Sequence, residues 1–218
     1  VAMSDTGNFV IVWRDASLGV ATPDIRARGF DPVGAALTGE VTVGSTTNLQ
    51  SNPVISMRQS TGDFVVVWES NAAFANAQVY FQRYNSSLTP QGSETLVSTN
   101  TGDVNQTADV SMNSTGDFMI TWARTVTAGT EFQIQARRYN ASGTSLGTEF
   151  RVDTVAGQDT APVVGYTNSN YALFAWSSSP NNELYARLFA DAADLVISKT
   201  SAVTGFPAYN NTNFVPGA

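Results

Sequence analysis

Four tryptophans at nearly equal spacing constrain the fold of this chain more than any other feature. They are Trp13, Trp68, Trp122 and Trp176. Each one ends a similar phrase: DTGNFVIVW, STGDFVVVW, STGDFMITW and the less regular TNSNYALFAW. A fixed period of about 54 residues is typical of repeat architectures, in which each repeat forms one structural unit. The sequence therefore predicts four copies of one unit.

A second phrase follows each tryptophan and ends near an aromatic residue. It reads DIRARGFD, QVYFQRYN, IQARRYNASG and LYARLFAD, and its aromatic positions are Phe30, Tyr84, Tyr139 and Phe189. In three copies a turn glycine, which tolerates positive φ, precedes the tryptophan strand; these are Gly7, Gly62 and Gly116. We interpret the tryptophans, these aromatic residues and the glycines as structural repeat positions.

Each copy contains four candidate strands and no helical period. In DFVVVW, the side chains of Phe64, Val66 and Trp68 point to one face, and those of Val65 and Val67 to the other. A strand that is apolar on both faces is buried on both faces. The first strand (PVISM) and the fourth (EFRV) look short. Four strands per unit of about 54 residues predict an all-β fold, a four-bladed β-propeller with four antiparallel strands per blade.

The predicted propeller occupies residues 1–218 as a single domain, with blades at about 1–52, 53–108, 109–161 and 162–218. The tail NTNFVPGA resembles the linkers LQSNPVIS and DTAPVVGY, so the chain ends where a next copy would begin. Two explanations stay open: the ends meet in one ring, or the chain is one unit of a longer tandem array. The absence of an initiator methionine and a signal peptide favours the array. The junction between units would comprise Val1, Ala2, Met3, Phe214, Val215, Pro216, Gly217 and Ala218.

Composition excludes several function classes. The chain has no cysteine and no histidine, which removes disulfides, thiolate nucleophiles and the commonest general base and metal ligand. The net charge of −7 disfavours nucleic acid and anionic membranes. No apolar run approaches the length that spans a bilayer. A single lysine, Lys199, and abundant Ser, Thr and Asn favour an extracellular or cell-surface location.

The pattern GDFVVVW … ARRYNASGTSLGTEFRV resembles the tandem β-propeller repeats of large secreted bacterial surface and fibre proteins. The resemblance covers all four copies, and residues 118–152 match best. The fourth copy departs from it, because it lacks both the turn glycine and the repeated glutamate. The resemblance implies a structural role and supplies no catalytic or ligand-binding residue.

Several polar positions recur and admit two interpretations each. The tryptophans could stack on sugars, but packing between blades is the simpler role for residues that end an apolar strand. Three arginines precede the aromatic of the second phrase, where Gln82 is the exception, and could bind an anionic sugar or a neighbouring glutamate: Arg28, Arg137 and Arg187.

Repeated acidic residues and sequons are also interpreted as structural. The glutamates form an evenly repeated set, whereas catalytic carboxylates are placed asymmetrically; they are Glu40, Glu94 and Glu149. The turn aspartates could collect calcium, but no D-x-D-x-D-G loop is present; they are Asp5, Asp63 and Asp117. Sequons expected by chance in this composition occur at Asn85, Asn105, Asn113, Asn140 and Asn210.

These observations lead to one functional expectation and one alternative. We expect a non-catalytic structural subunit of an extracellular bacterial filament or stalk, with no cofactor or metal and with neighbouring copies as partners. The alternative is a lectin-like adhesion propeller with glycans as partners, although the long loops share no common motif. A glycosidase or lyase would rest on fold analogy alone.

Overall fold

The computed structural model describes residues 1–17, 23–44, 48–72, 75–126, 131–154, 157–179 and 183–190. Within these ranges the chain forms fifteen strands and no helix, which confirms the all-β prediction. In the same ranges, no helix has the length and apolarity that crossing a membrane requires. Lys199, Asn210 and the junction residues 214–218 lie outside the described residues.

The strands fall into four consecutive units. Unit 1 comprises β1 (Ala2–Met3), β2 (Phe9–Asp15), β3 (Asp24–Phe30) and β4 (Val41–Val43). Unit 2 comprises β5 (Leu49–Met57), β6 (Phe64–Ala72), β7 (Ala75–Tyr84) and β8 (Thr95–Leu96). Unit 3 comprises β9 (Val104–Met112), β10 (Phe118–Val126), β11 (Glu131–Tyr139) and β12 (Phe150–Arg151). Unit 4 comprises β13 (Gln158–Tyr166), β14 (Tyr171–Ser179) and β15 (Glu183–Ala190).

Consecutive strands of a unit pair antiparallel, so that each unit is one meandering sheet. The turn from the first to the second strand uses the glycines that the sequence indicated, with φ of 83°, 76° and 91° at Gly7, Gly62 and Gly116. Within the described residues, a single parallel pairing, between Phe132 and Gln158, connects units 3 and 4. The fourth strand predicted for the last copy falls within residues 191–218, outside the described part.

Neighbouring units pack face to face through three apolar clusters. Val10, Ile25 and Val43 of unit 1 meet Val66 and Trp68 of unit 2. The second strand supplies both of its faces, because alternate residues of β6 enter the clusters on either side of unit 2. The same arrangement recurs between units 2 and 3 and between units 3 and 4. Consecutive four-stranded sheets that pack face to face in this way are typical of a β-propeller.

We call the first strand of each unit the inner strand, and in units 2, 3 and 4 it differs from the sequence prediction. It was expected to be as short as PVISM, but β5, β9 and β13 have nine residues each. The pairing register shifts within each of them. A residue with positive φ marks the shift: Asn52, Thr107 and Ala161, with φ of 51°, 52° and 49°. This β-bulge interrupts the alternation on which sequence reasoning relies.

Candidate active site

Hydrogen bonds from side chains tie the inner strands of neighbouring units together. The Ser56 hydroxyl accepts a bond of 2.9 Å from the backbone N–H of Met112. The Ser111 hydroxyl accepts the equivalent bond of 3.0 Å from Tyr166. These bonds fix inner strands that do not share a ladder. Two carboxylates make bonds of the same kind, and they are the chemically distinctive members of the set.

Glu69 lies one residue beyond the tryptophan of unit 2 and is 6% exposed. Its Oε1 accepts a bond of 2.6 Å from the backbone N–H of Thr107, and its Oε2 accepts one of 3.0 Å from the Asn52 amide. Burial raises the pKa of Glu69 because it disfavours the charged form, and these donors offset only part of that effect. The carboxyl therefore retains its proton more readily than a solvent-exposed glutamate.

Asp109 lies two residues after Thr107, on the inner strand β9 itself. Its Oδ2 accepts a bond of 2.9 Å from the backbone N–H of Val164 in unit 4. Burial raises the pKa of this carboxyl, while the N–H groups of Val164 and Val110 favour its charged form. Glu69 of unit 2 thus accepts a hydrogen bond from β9, and Asp109 of β9 accepts one from unit 4.

A third carboxyl, Asp159, lies on the inner strand of unit 4 and is 4% exposed. Burial raises its pKa, whereas hydrogen bonds to Ser178 and Trp176 lower it. The position of Asp159 corresponds to Asn105 in unit 3, whose Oδ1 accepts a bond of 2.9 Å from the Trp122 indole. Asp159 therefore occupies a structural position that the repeat itself defines.

Buried carboxyls with raised pKa values are suited to proton transfer near neutral pH. Two such groups meet at one inner strand, because Glu69 accepts a bond from the N–H of Thr107 in β9 and Asp109 is itself a residue of β9. We treat them as the candidate acid–base pair. No group of three or more Asp or Glu residues in the described ranges forms a metal site. The three turn aspartates lie in separate units and are not brought together: Asp5, Asp63 and Asp117.

A cavity of about 400 Å³ opens between β1, β5 and β9, at the carboxyl ends of the inner strands. Met3, Ile55 and Met112 supply apolar walls, and Asn113 and Ser114 supply amide and hydroxyl groups. Among the described residues that line it, one carboxylate is present, that of Asp5. This cavity has room for a small polar ligand but does not hold the carboxyl pair.

The repeated tryptophans and arginines occupy packing positions. Trp68 and Trp122 are fully buried and Trp176 is 6% exposed, so these three present no open face for a sugar, whereas Trp13 is half-buried. The arginine side chains cover the rings two residues along, with the guanidinium carbon 5.6, 5.6 and 4.7 Å from the ring centre for Arg28, Arg137 and Arg187. The three guanidinium groups also donate to backbone carbonyls near the fourth strands, namely those of Thr38, Val97 and Val152.

Two of the repeated glutamates, Glu149 and Glu40, make polar contacts near the fourth strands of the sheets. Glu149 accepts bonds from the Thr99 N–H and the Asn100 amide, at 2.9 and 2.6 Å, and so connects units 3 and 2. Glu40 forms an ion pair of 4.0 Å with Arg28. The sequons include the buried Asn105 and Asn113, which leaves those two amides no room for a glycan.

Sequence reasoning missed Glu69 and Asp109, although a signal was present. Glu69 stands where the other copies have Arg14, Ala123 and Ser177. Asp109 stands where copies 2 and 4 have valine. A carboxylate at a repeat position where the compared copies have none marks a departure from the shared pattern. Comparing the copies position by position would have drawn attention to both residues.

Comparison with known proteins supports the fold. No protein-family model and no curated protein sequence matches the chain. An endo-arabinase from Bacteroides thetaiotaomicron superimposes with a TM-score of 0.54 at 12% identity, over 86% of this chain and 72% of the enzyme. An exo-β-1,3-galactanase from Phanerochaete chrysosporium superimposes with a TM-score of 0.55 at 13% identity, over 91% of this chain and 48% of the enzyme. A GH43 β-1,3-galactosidase superimposes with a TM-score of 0.55 at 11% identity, over 92% of this chain and 44% of the enzyme. The chain thus spans less than half the length of the last two.

These similarities establish a β-propeller and contradict the expected function. The similar structures are glycoside hydrolases, so the expectations of a non-catalytic filament subunit and of a protein that is not an enzyme were wrong. They also give no support to the resemblance to surface and fibre proteins beyond the propeller fold itself. The physical reason is that the repeated phrase specifies how blades pack, and the same packing serves enzymes and non-enzymes alike.

Proposed function

We propose that this protein is a carbohydrate-active enzyme that hydrolyses glycosidic bonds, with Glu69 and Asp109 as its carboxyl pair. One observation carries the proposal: two carboxyls whose pKa is raised by burial are held at the inner strand β9, Glu69 by a bond from Thr107 and Asp109 as a residue of the strand. The usual mechanism of glycoside hydrolysis uses a pair of carboxyl groups. That requirement suits a chain without histidine or cysteine. The enzymes of similar fold are named for arabinan-type and β-1,3-galactan substrates.

The two residues take different roles. Glu69 is the more buried, and its raised pKa favours the protonated form, which is the form a general acid needs to protonate a leaving oxygen. Asp109 is half-buried and accepts backbone N–H bonds, which favour its charged form. It is therefore the base that activates water.

The finer architecture belongs to the same proposal. We assign four blades, one for each tryptophan phrase, with units 1 to 4 as their described parts. An extracellular location fits a polysaccharide substrate and a lysine-poor chain rich in Ser, Thr and Asn. Each blade boundary would lie between the outer strand of one unit and the inner strand of the next.

Hydrolysis assays with two pure variants test the proposal. The wild-type chain is incubated with linear arabinan and with β-1,3-galactan, and released reducing ends are counted. We expect Glu69→Gln and Asp109→Asn each to lower kcat by about 10²–10⁴-fold, the usual contribution of a general acid or base.

Glu40→Gln is the matched control, because it makes the same isosteric change at an exposed glutamate and should retain activity. Circular dichroism and thermal unfolding of each variant separate loss of catalysis from loss of fold. Absence of product from both glycans with folded wild-type protein would refute the proposal for these substrates. Full activity of folded Glu69→Gln would refute the assignment of the acid.

A further inference from the structure

A crevice between units 2 and 3 holds two arginines that the preceding repeat lacks. Its volume is about 130 Å³, and Arg58 and Arg83 of unit 2 line it together with Gly116 and Ala141 of unit 3. We call it the arginine crevice. The described residues that line it do not include the candidate acid–base pair. The arginine crevice is therefore a separate feature, and the function proposed above gives it no role.

Two adjoining turns of unit 3 hold both guanidinium groups. Arg58 Nε donates a bond of 2.8 Å to the carbonyl of Ser114, and Arg83 Nη1 donates one of 2.7 Å to the carbonyl of Ala141. The two turns are joined, because the Asp117 carboxylate accepts a bond of 2.9 Å from the N–H of Ala141. Both cations thus lie against the same pair of turns.

Neither guanidinium forms an ion pair with a carboxylate of the described residues. The carboxylate of Asp63 also lines the crevice, but it accepts a bond of 2.9 Å from the Thr61 hydroxyl. Burial lowers the pKa of Arg83, because a desolvated cation without a counter-charge is disfavoured. An anion in the crevice would supply that counter-charge. The ion pairs in the described part of the chain belong to Arg26, Arg28, Arg124 and Arg151.

Arg58 keeps hydrogen-bond donors for such an anion. Its described bond uses Nε, so both terminal amino groups retain their N–H donors. A planar guanidinium with two donor groups matches the two oxygens of a carboxylate better than it matches a neutral hydroxyl. The crevice has room for the charged group of a ligand, while the remainder of that ligand stays outside.

The equivalent crevice between units 1 and 2 is neutral. It has a volume of about 170 Å³, and Ser4 and Gly29 line it where the arginine crevice has Arg58 and Arg83. The pairing register supports this correspondence, since Gly29 and Arg83 both lie opposite the residue three positions before a tryptophan. Two adjacent repeats therefore have the same crevice, with the positive charge in one of them.

The residues that face these positions change in step. A Cβ atom on Gly29 would lie 3.1 Å from Leu88 Cδ1, and a Cβ atom on Gly143 would lie 2.6 Å from Arg83 Nε. Leu88 and Gly143 occupy the same position in units 2 and 3. Leu88 thus fills the space left by Gly29, whereas Gly143 leaves room for Arg83. The fold accommodates the buried part of this cation with a matched glycine.

We propose that the arginine crevice binds the carboxylate of a uronic acid in an acidic polysaccharide, with Arg58 and Arg83 as its ligands. The net charge of −7 repels polyanions from the chain as a whole, so binding is confined to the place where two cations meet. The crevice anchors the protein to a glycan apart from the carboxyl pair. That the carboxylate belongs to a sugar rests on the proposed function, whereas the anion site itself does not.

NMR titration of the full chain with methyl β-D-glucuronide tests the proposal. The backbone N–H signals of Gly116 and Gly143 should shift, while that of Gly62, the counterpart of Gly116 in the neutral crevice, should not. Methyl β-D-glucoside lacks the carboxylate and should shift none of them. Sodium sulfate is the third probe, and sulfate binding as tight as that of the glucuronide would overturn the assignment to a carboxylate.

Three variants and one control locate the ligands. Arg58→Gln and Arg83→Gln should each raise the Kd of the glucuronide by at least about 10-fold, the loss expected for one charge-assisted hydrogen bond. Asp63→Asn should lower that Kd, because it removes a carboxylate that lines the crevice. Arg14→Gln makes the same change at an exposed arginine of unit 1 and should leave the Kd unchanged. Circular dichroism confirms that each variant is folded.

The outcomes separate this proposal from the hydrolytic one. Unshifted Gly116 and Gly143 signals, equal shifts with the glucoside, or an unchanged Kd in folded Arg58→Gln would overturn the anion site. Wild-type protein that binds the glucuronide but releases no sugar from glycans would refute only the catalytic assignment. Active protein that does not bind the glucuronide would refute only the arginine crevice.

Discussion

Units 3 and 4 show that the burial of one repeat position depends on the neighbouring sheet. Met119 of unit 3 and Leu173 of unit 4 both lie three residues before a tryptophan on the second strand. Met119 is packed in the cluster against unit 4, whereas Leu173 is half exposed. The local sequence makes the same strand in both places. The adjacent sheet decides whether the side chain is buried, so the stability of a unit depends largely on its neighbours.

The largest expected effect on stability concerns two tryptophans that differ in burial, Trp122 and Trp13. Trp122→Ala should lower the free energy of unfolding by about 3–5 kcal/mol, because it removes a fully buried ring and leaves a cavity. Trp13→Ala, at a half-buried ring of unit 1, should cost less than half as much. Urea unfolding followed by circular dichroism measures both. Equal losses would show that units 1 and 3 are buried alike in solution.

The tryptophans also illustrate what the sequence could predict. Their spacing, the turn glycines and the double-faced apolar strand of unit 2 are local signals, and they were enough for an all-β repeat of stacked sheets. The first halves of β5, β9 and β13 were missed because the bulges at Asn52, Thr107 and Ala161 break the alternation. Each inner strand consequently begins a few residues before the expected blade boundary.

The candidate site was harder to predict because its contacts are not local. The donor that binds Glu69 comes from Thr107, 38 residues later, and the donor that binds Asp109 comes from Val164, 55 residues later. Only the stacking of sheets brings these groups together. Sequence reasoning looked for residues that all copies share. The residues that stand out chemically are those that one copy has alone.

A smaller effect should separate Met119 from Leu173 directly. Met119→Ala should cost about 2–3 kcal/mol, since it empties part of a packed cluster. Leu173→Ala should cost less than about 1 kcal/mol, since half of that side chain remains in water. The difference between the two variants, measured by urea unfolding, reports how far a neighbouring sheet covers unit 4. A loss at Leu173 as large as that at Met119 would mean that this face is covered in solution.

The smallest expected effect is a pH dependence at the interface between units 2 and 3. Burial raises the pKa of Glu69 in the folded protein, so the folded state favours the protonated form more than the unfolded chain does. The resulting stabilisation is complete below the pKa of the unfolded chain and is lost as the pH rises through the folded pKa. Wild-type stability should therefore fall, relative to Glu69→Gln, between pH 4 and pH 7.

Glu40→Gln makes the same change at the outer edge of unit 1, where the glutamate side chain is 52% exposed. Urea unfolding of the wild type and both variants at the two pH values gives the comparison. Glu69→Gln should flatten the pH dependence, while Glu40→Gln should leave it as in the wild type. If both variants behaved alike, the interior position of Glu69 would have no electrostatic consequence. The carboxyl would then act only as a hydrogen-bond acceptor for Thr107 and Asn52, and the assignment of Glu69 as a proton donor would lose its physical basis.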